Sequence, residues 1–219
     1  MSRLHCMAAG LTEVAQHLQA EMPAPIELPP ETTEGALGLI LFKNRDRRIL
    51  RAVTWGFQRL TREMRERGDE PTRIGLVADL TNPMWDQMVA DPRYRCLIIL
   101  THFANPDGVP GARTRTWFSL KRDPFMAWAG FCRNMPGQGP VYAGMTMDAN
   151  DAVQPTNDRM PVLLDPHHYD SWLHGSIETV IGFQFGKPIP VERFRVEKTE
   201  DLWNSGKRSP SADKQLALI

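Results

Sequence analysis

The sequence is poor in cysteine and carries no excess of either charge. Its 219 residues include three cysteines, and 26 lysines and arginines balance 26 aspartates and glutamates. Cys6, Cys96 and Cys132 are too few and too widely spaced for a disulfide framework or a Cys-x-x-Cys metal site. Such cysteines are typical of reduced thiols, so we expect a cytoplasmic protein. The zero net charge excludes a generic polyanion binder, because any nucleic-acid surface must then come from local segregation of charge.

Long apolar runs are also missing. The first ten residues lack the apolar stretch of a secretory signal. The longest apolar runs, near residues 36–42 and 96–100, are far shorter than the roughly 20 residues that span a bilayer. We therefore expect no membrane partner. Hydrophobic residues make up 42% and charged residues 24% of the chain, which excludes wholesale disorder.

Charge is segregated along the chain. Residues 1–42 carry one basic and five acidic side chains, whereas residues 43–73 carry ten basic and five acidic ones. Arginines alternate with glutamates over residues 59–67, which is typical of a solvated helix. For the arginines between Arg45 and Arg51, contact with phosphates is an alternative to a solvated face.

Hydrophobic periodicity predicts a mixture of helices and strands. Apolar residues recur at helical intervals over 11–21, and prolines forbid regular structure from 23 to about 35. A short helix is predicted over 165–175, with Asp165 as its N-cap. Strands are predicted over 36–42 and 49–55, joined by a turn at 44–46. Further strands are predicted over 95–103, 113–120, 124–131 and 140–147, with a late one near 162–164.

These elements predict an α+β fold. We expect a single compact domain over residues 1–203, built on a strongly curved, mainly antiparallel, barrel-like sheet with a few flanking helices. Residues 204–219 are small and polar, and we expect this C-terminal tail to fray.

An ordered set of motifs extends over nearly the whole chain and resembles the SRAP family, the SOS-response-associated peptidase-like proteins that process abasic sites. The motifs are VTWGF at 53–57, NPMW at 82–85, RCLIILTHFA at 95–104, WFSL at 117–120, FMAWAG at 125–130, DRMPVLL at 158–164, HYDSWL at 168–173 and RVEKTEDLW at 195–203.

The resemblance implies a protein that binds single-stranded DNA and reacts with abasic sites. In the family, removal of the first methionine exposes a cysteine whose amine and thiol capture the sugar aldehyde as a thiazolidine crosslink. An asparagine in an Asn-x-Arg segment, a glutamate after the central strand and a histidine before Asp-Arg-Met-Pro move the protons. An N-terminal amine has a pKa of about 8 and is therefore partly nucleophilic at neutral pH.

This sequence departs from the family at each of those four positions. They fall on Ser2, Leu76, Asn105 and Asn157. A serine hydroxyl is a much weaker nucleophile than a thiolate, and an amide does not transfer a proton near neutral pH. Ala78 also replaces the arginine of the Asn-x-Arg segment. We therefore predict a degenerate catalytic site.

The resemblance also implies a DNA-binding face made by Trp55, Gly56, Arg159 and Pro161. Trp55 could stack on an unpaired base, and the alternative is a core tryptophan. Arg159 could hold a phosphate, and the alternative is an ion pair with Asp158 or Asp165.

No cofactor or metal is expected. His102 is best interpreted as a structural or surface histidine. His167 and His168 have no acidic or cysteine partner at metal-ligand spacing in the sequence, so we predict no metal site there.

The predicted function is that of a SRAP-like damage-response protein that binds single-stranded or abasic DNA without the covalent step. One alternative is a residual lyase in which the Ser2 amine forms a Schiff base with the abasic aldehyde. The other is a protein-interaction module without a DNA role.

Overall fold

Strands dominate the architecture. The computed structural model describes residues 4–204, which contain sixteen β-strands and five short α-helices. The strands are β1 (Leu4–Cys6), β2 (Ala20–Glu21), β3 (Thr32–Thr33), β4 (Leu37–Asn44), β5 (Arg47–Trp55), β6 (Phe57–Arg59), β7 (Thr72–Ile74), β8 (Leu76–Val77), β9 (Arg95–Leu100), β10 (His102–Asp107), β11 (Thr114–Leu120), β12 (Met126–Met135), β13 (Gly139–Asp148), β14 (Arg159–Pro161), β15 (Leu163–Leu164) and β16 (Phe194–Leu202). The helices are α1 (Leu11–Leu18), α2 (Arg62–Arg67), α3 (Asp86–Ala90), α4 (Tyr169–His174) and α5 (Ile177–Gln184). Single 3₁₀ turns occur at Pro83–Trp85, Pro92–Tyr94, Pro166–His168 and Val191–Arg193.

The larger sheet closes on itself. Strands β13, β12, β9, β4 and β5 pair in that order, and all four of these pairs are antiparallel. The ring is completed by a parallel pair between β5 and β13, in which Trp55 lies opposite Tyr142. Short strands extend the sheet, with β14 and β8 on β13, β15 on β12, and β2 on β5. The predicted α+β fold with a barrel-like, mainly antiparallel sheet is confirmed.

A second, smaller sheet lies beside the ring. Its five strands run in the order β16, β11, β10, β1 and β3, and every pair is antiparallel. The first described strand, β1, therefore lies inside this sheet, between β10 and β3, and all three of its residues are buried.

Aromatic side chains fill the interior of the ring. Trp55, Trp128 and Tyr142 are fully or almost fully buried, and the rings of Trp55 and Tyr142 are stacked at 6.2 Å. His5 from the smaller sheet reaches this cluster, and its Nε2 lies 2.9 Å from the Tyr142 hydroxyl. Gly38 leaves room for that hydroxyl, because a Cβ there would lie 2.0 Å from it.

The structure divides one predicted strand. Residues 95–103 form two strands in different sheets, β9 and β10, which meet at Thr101. The Thr101 N–H donates to the carbonyl of Cys6 at 2.8 Å, and the Thr101 hydroxyl accepts from the Ala8 N–H at 3.0 Å. The bend is therefore fixed by contacts with the N-terminal segment.

Three helices differ from the predicted pattern. α1 ends at Leu18 because Gln19 adopts a left-handed conformation with a φ of 50°, and the next two residues form β2. The sequence pattern predicts neither α3 nor α5. Within residues 4–204, no helix has the length and apolar character needed to cross a membrane.

Candidate functional site

The N-terminal segment joins the domain beside Asn105. In the two ladders of β1, Leu4 lies opposite Ala104 of β10 and opposite Thr33 of β3. Leu4, the first residue of β1, therefore lies opposite the neighbour of Asn105 in β10 and opposite the neighbour of Glu34 in β3. Ser2, the predicted nucleophile position, lies outside the described residues.

Asn105 and Asn157 lie in one cluster, because Asn105 bonds to Thr156, the residue that precedes Asn157. Asn105 is fully buried, and its Nδ2 donates to the hydroxyl of Thr156 at 3.0 Å. The next residue, Asn157, accepts the Arg159 N–H on its Oδ1 at 3.2 Å. The structure thus brings together two of the predicted catalytic positions, and both are amides.

The segment at Leu76 is connected to this cluster through its backbone. Leu76 belongs to β8, pairs with Gly144 of β13, and is buried in the core. Two residues later, the carbonyl of Ala78 accepts from Arg159 Nη2 at 3.3 Å and from Gln184 Nε2 at 3.2 Å. Arg159 therefore bridges the Leu76 segment and the Asn157 segment, but the Leu76 side chain supplies no polar group.

Arg159 is held by protein groups. Its Nη1 pairs with Asp148 at 2.7 Å, and its Nη2 donates to the Thr146 carbonyl at 2.7 Å. The ion-pair partner is therefore Asp148, not the Asp158 or Asp165 considered from the sequence. Its side chain keeps 23% of its surface exposed, and the Asp148 side chain is 94% exposed.

The other three residues predicted to face DNA are buried. Trp55 is 0% exposed and donates from Nε1 to the Gly75 carbonyl at 2.8 Å, so in this structure it occupies a core position and presents no open ring face. Gly56 has a φ of 98°, which favours glycine, and donates to the Tyr142 carbonyl. Pro161 is buried opposite Thr146.

Two residues beside the start of β1 were missed from the sequence. Glu34 accepts the Gly75 N–H on its Oε1 at 3.1 Å. Arg73 donates from Nη1 to the Gly56 carbonyl at 3.2 Å, and its Nε lies 3.2 Å from the position of a Cβ on Gly35. A carboxylate and a guanidinium therefore lie close to where the chain meets the sheet. Their position beside β1 depends on the register of the strands, which cannot be read from the sequence.

The nearby ionisable groups are poor proton donors at neutral pH. A polar cavity of about 360 Å³ lies next to Asn157. In its lining, hydrogen bonds from Lys198 and Thr116 lower the pKa of Asp107, so this carboxyl group is ionised. Burial lowers the pKa of His5 to about 3 and that of His102 to about 4, so both imidazoles are neutral.

The prediction that His167 and His168 have no acidic partner at metal-ligand spacing is wrong. Asp165 supplies an acidic partner, because its carboxylate and the two imidazoles offer ligand atoms that lie within 4.8 Å of one another. Asp165 occupies the N-cap position as predicted, but its carboxylate bonds to Arg193 and makes no side-chain cap.

Residues 6–201 match the family described as SOS response associated peptidase (SRAP). The chain belongs to the SRAP family. Among curated proteins, no sequence matches this SRAP chain significantly.

Solved structures share the fold of this SRAP protein at low sequence identity. A crystal structure of a Bordetella bronchiseptica protein superposes with a TM-score of 0.73 at 18% identity, covering 90% of this chain and 99% of the other. A Bacteroides thetaiotaomicron protein gives 0.71 at 15% identity, with coverage of 94% and 99%. A phage-related protein from Bordetella bronchiseptica gives 0.67 at 15% identity, with coverage of 90% and 93%.

Proposed function

We propose that this SRAP protein binds single-stranded or abasic DNA without forming the covalent crosslink. Membership of the SRAP family supports a role in the DNA damage response that is associated with abasic sites. The observation that carries the finer proposal is the cluster of Asn105, Thr156 and Asn157, in which amides stand at the two positions where the family has a carboxylic acid and an imidazole.

Loss of the covalent step follows from the chemistry of these groups. Closing a thiazolidine needs a thiol next to the N-terminal amine and groups that accept and return protons. Ser2 offers a hydroxyl, Leu76 offers an alkyl chain, and the two asparagines have no titratable proton near neutral pH. The neutral His5 lies in the aromatic core, where its Nε2 is paired with Tyr142.

Local cations supply the affinity in this proposal. Arg73 lies beside Gly56 and Gly35, near the start of β1, and is the guanidinium best placed to replace the arginine that Ala78 lacks. Arg159 contributes less, because Asp148 already balances its charge. Arg45 and Arg51 on the β4–β5 hairpin are exposed and are separate candidates for phosphate contacts.

Binding to a fluorescent single-stranded oligonucleotide, measured over a range of salt concentrations, tests the proposal. Arg73→Ala should weaken binding to all sequences and reduce the salt slope by about one unit, as expected for one lost phosphate contact. Arg62→Ala is the matched control, because Arg62 is a 92% exposed arginine on α2 that pairs with Glu66. Its slope should stay unchanged.

Incubation with an abasic oligonucleotide tests the loss of chemistry. We expect no heat-stable band shift in a denaturing gel, and little gain from Ser2→Cys alone, because Leu76, Asn105 and Asn157 remain. A stable crosslink formed by the unmodified protein would overturn the proposal. Absence of salt-sensitive DNA binding would favour the interaction module instead.

One observation favours the lyase as a second candidate. Glu34 places a carboxylate next to the point where the N-terminal segment meets the sheet, and a carboxylate there could assist an amine that attacks an aldehyde. Borohydride should then trap an adduct on abasic DNA, and Glu34→Gln should reduce the trapped fraction. A trapped fraction that does not respond to Glu34→Gln would exclude this role for the carboxylate.

The proposed compartment is the cytoplasm. Cys6 and Cys96 are buried thiols and Cys132 is a partly buried one, and such thiols suit a reducing environment.

A further inference from the structure

Two histidines and an aspartate form a compact cluster outside the candidate site around Asn105 and Asn157. Asp165 follows β15 directly, and His167 and His168 belong to the 3₁₀ turn that comes next. The two imidazole rings have centroids 3.9 Å apart, and the ligand atoms of all three side chains lie within 4.8 Å of one another. None of these residues takes part in the cluster around Asn105.

An ion pair fixes the Asp165 carboxylate of the cluster. Arg193 donates from Nη1 to Asp165 at 2.7 Å and from Nη2 to Asp123 at 3.1 Å. One guanidinium is thus shared by two carboxylates, and Lys187 lines the cavity beside Asp165 and His168, so these four charges balance. The bond to Asp165 uses Oδ1 and orients the carboxylate, as hydrogen bonds to metal ligands commonly do.

The cluster borders a cavity with room for further ligands. Asp165 and His168 line a cavity of about 490 Å³ whose other walls are mostly apolar, among them Phe183 and Met147. The His168 ring packs edge-on against Phe183 at 5.4 Å, which restricts its orientation. His167 lies on the exposed side.

We propose that Asp165, His167 and His168 bind a divalent transition metal, with Zn²⁺ the ion that best fits two imidazole nitrogens and one carboxylate oxygen. Ligand distances of about 2.0–2.2 Å require the side chains to close in slightly, which the exposed His167 allows. Three protein ligands leave a coordination position open toward the cavity, where the metal would hold a water molecule. This site is independent of the proposed DNA binding.

Titration of the untagged full chain with Zn²⁺ by calorimetry, and with Co²⁺ by visible absorption, tests the site. We expect one equivalent to bind and Co²⁺ to give the intense bands of low coordination number. Asp165→Asn and His168→Gln should each weaken binding at least tenfold. His174→Gln is the matched control, because His174 is an exposed histidine on the neighbouring helix α4 and should not alter binding.

His167→Gln separates loss of a ligand from misfolding, because this exposed side chain can be replaced without disturbing the core. This variant should also weaken Zn²⁺ binding at least tenfold. Absence of binding to the unmodified protein would overturn the proposal. So would an affinity that Asp165→Asn leaves unchanged, since the ion would then be held by surface histidines alone.

Discussion

Replacing Arg115 by methionine should destabilise the fold in a way that depends on pH. Arg115 lies on β11 with only 3% of its side chain exposed, and its Nη1 contacts the Glu31 carboxylate at 2.5 Å. Its Nη2 and Nε donate to the carbonyl of Trp203 at 3.0 and 3.3 Å. One guanidinium therefore connects the segment before β3, strand β11 and the end of the described chain.

The loss of stability comes from the Glu31 carboxylate, which the substitution leaves without its ion-pair partner. Breaking a buried ion pair from one side costs about 3–5 kcal/mol, because the remaining charge has no compensation. Because the Glu31 side chain is 15% exposed, we expect a loss of unfolding free energy at the lower end of this range, about 3 kcal/mol. In a chain of this length that loss lowers the melting temperature by roughly 6–12 °C.

The pH dependence gives the sharper signature. Burial raises the pKa of Glu31 above 4.5, and Arg115 opposes this rise. Without the guanidinium the pKa should rise further. A folded-state pKa above the unfolded one means that stability falls as pH rises through and above 4.5. The penalty of Arg115→Met should therefore be smaller at pH 5 than at pH 8.

Thermal and urea unfolding followed by circular dichroism at both pH values provide the measurement. The double variant Arg115→Met with Glu31→Leu should recover most of the loss. Arg62→Met, at a 92% exposed position, should stay within about 0.5 kcal/mol of the unmodified protein. An Arg115→Met protein as stable as its parent, or a penalty that does not change with pH, would refute this reasoning.

Two further predictions concern the interior of the ring. Gly144→Ala should lower the free energy of unfolding by about 3 kcal/mol, because the new Cβ would lie 2.0 Å from Cζ2 of the buried Trp128. Urea denaturation measures this loss. Gly182→Ala is the control, because a Cβ at that position meets no atom within 4 Å. His5 should make the protein acid-sensitive, because its pKa is 6.5 when unfolded and about 3 when buried, so stability falls by up to about 1.4 kcal/mol per pH unit below 6.5. Urea midpoints at pH 7 and pH 5 measure the effect, and His5→Gln should reduce it; an equal pH dependence in both proteins would count against the assignment.

Local patterns were sufficient for the long strands β4, β5, β11, β12 and β13, but they did not indicate β16, α3 or α5. The spacing of Val14, Ala15 and Leu18 predicts α1, and all three are buried in it. Residues 44–46 predict the turn between β4 and β5, where Arg45 has a positive φ of 56°. The helix and the turn are determined by residues that are close together in the chain, so they can be predicted from the sequence. The break at Thr101 depends on Cys6, far away in the sequence, and no local pattern indicates it.

The candidate site was harder to predict for the same reason. The resemblance located Asn105 and Asn157, and the structure places both in one cluster. It did not reveal Glu34 or Arg73, because their position beside the start of β1 depends on the register of strands that are distant in sequence. Trp55 stayed ambiguous because an indole at a strand end can face either the core or a ligand.

The parallel contact between β5 and β13 has a consequence for synthesis of the protein. β5 is complete once Trp55 has left the ribosome, but its partner strand follows the whole of residues 56–138. Until β13 is made, the Trp55 end of β5 has no partner strand on the edge that β2 shares, and the Trp55 ring lacks its stacking partner Tyr142. Contacts between such distant segments form late and slowly. Ring closure should therefore be a late event in folding, and the nascent β4–β5 hairpin the part of the chain that most needs protection from aggregation.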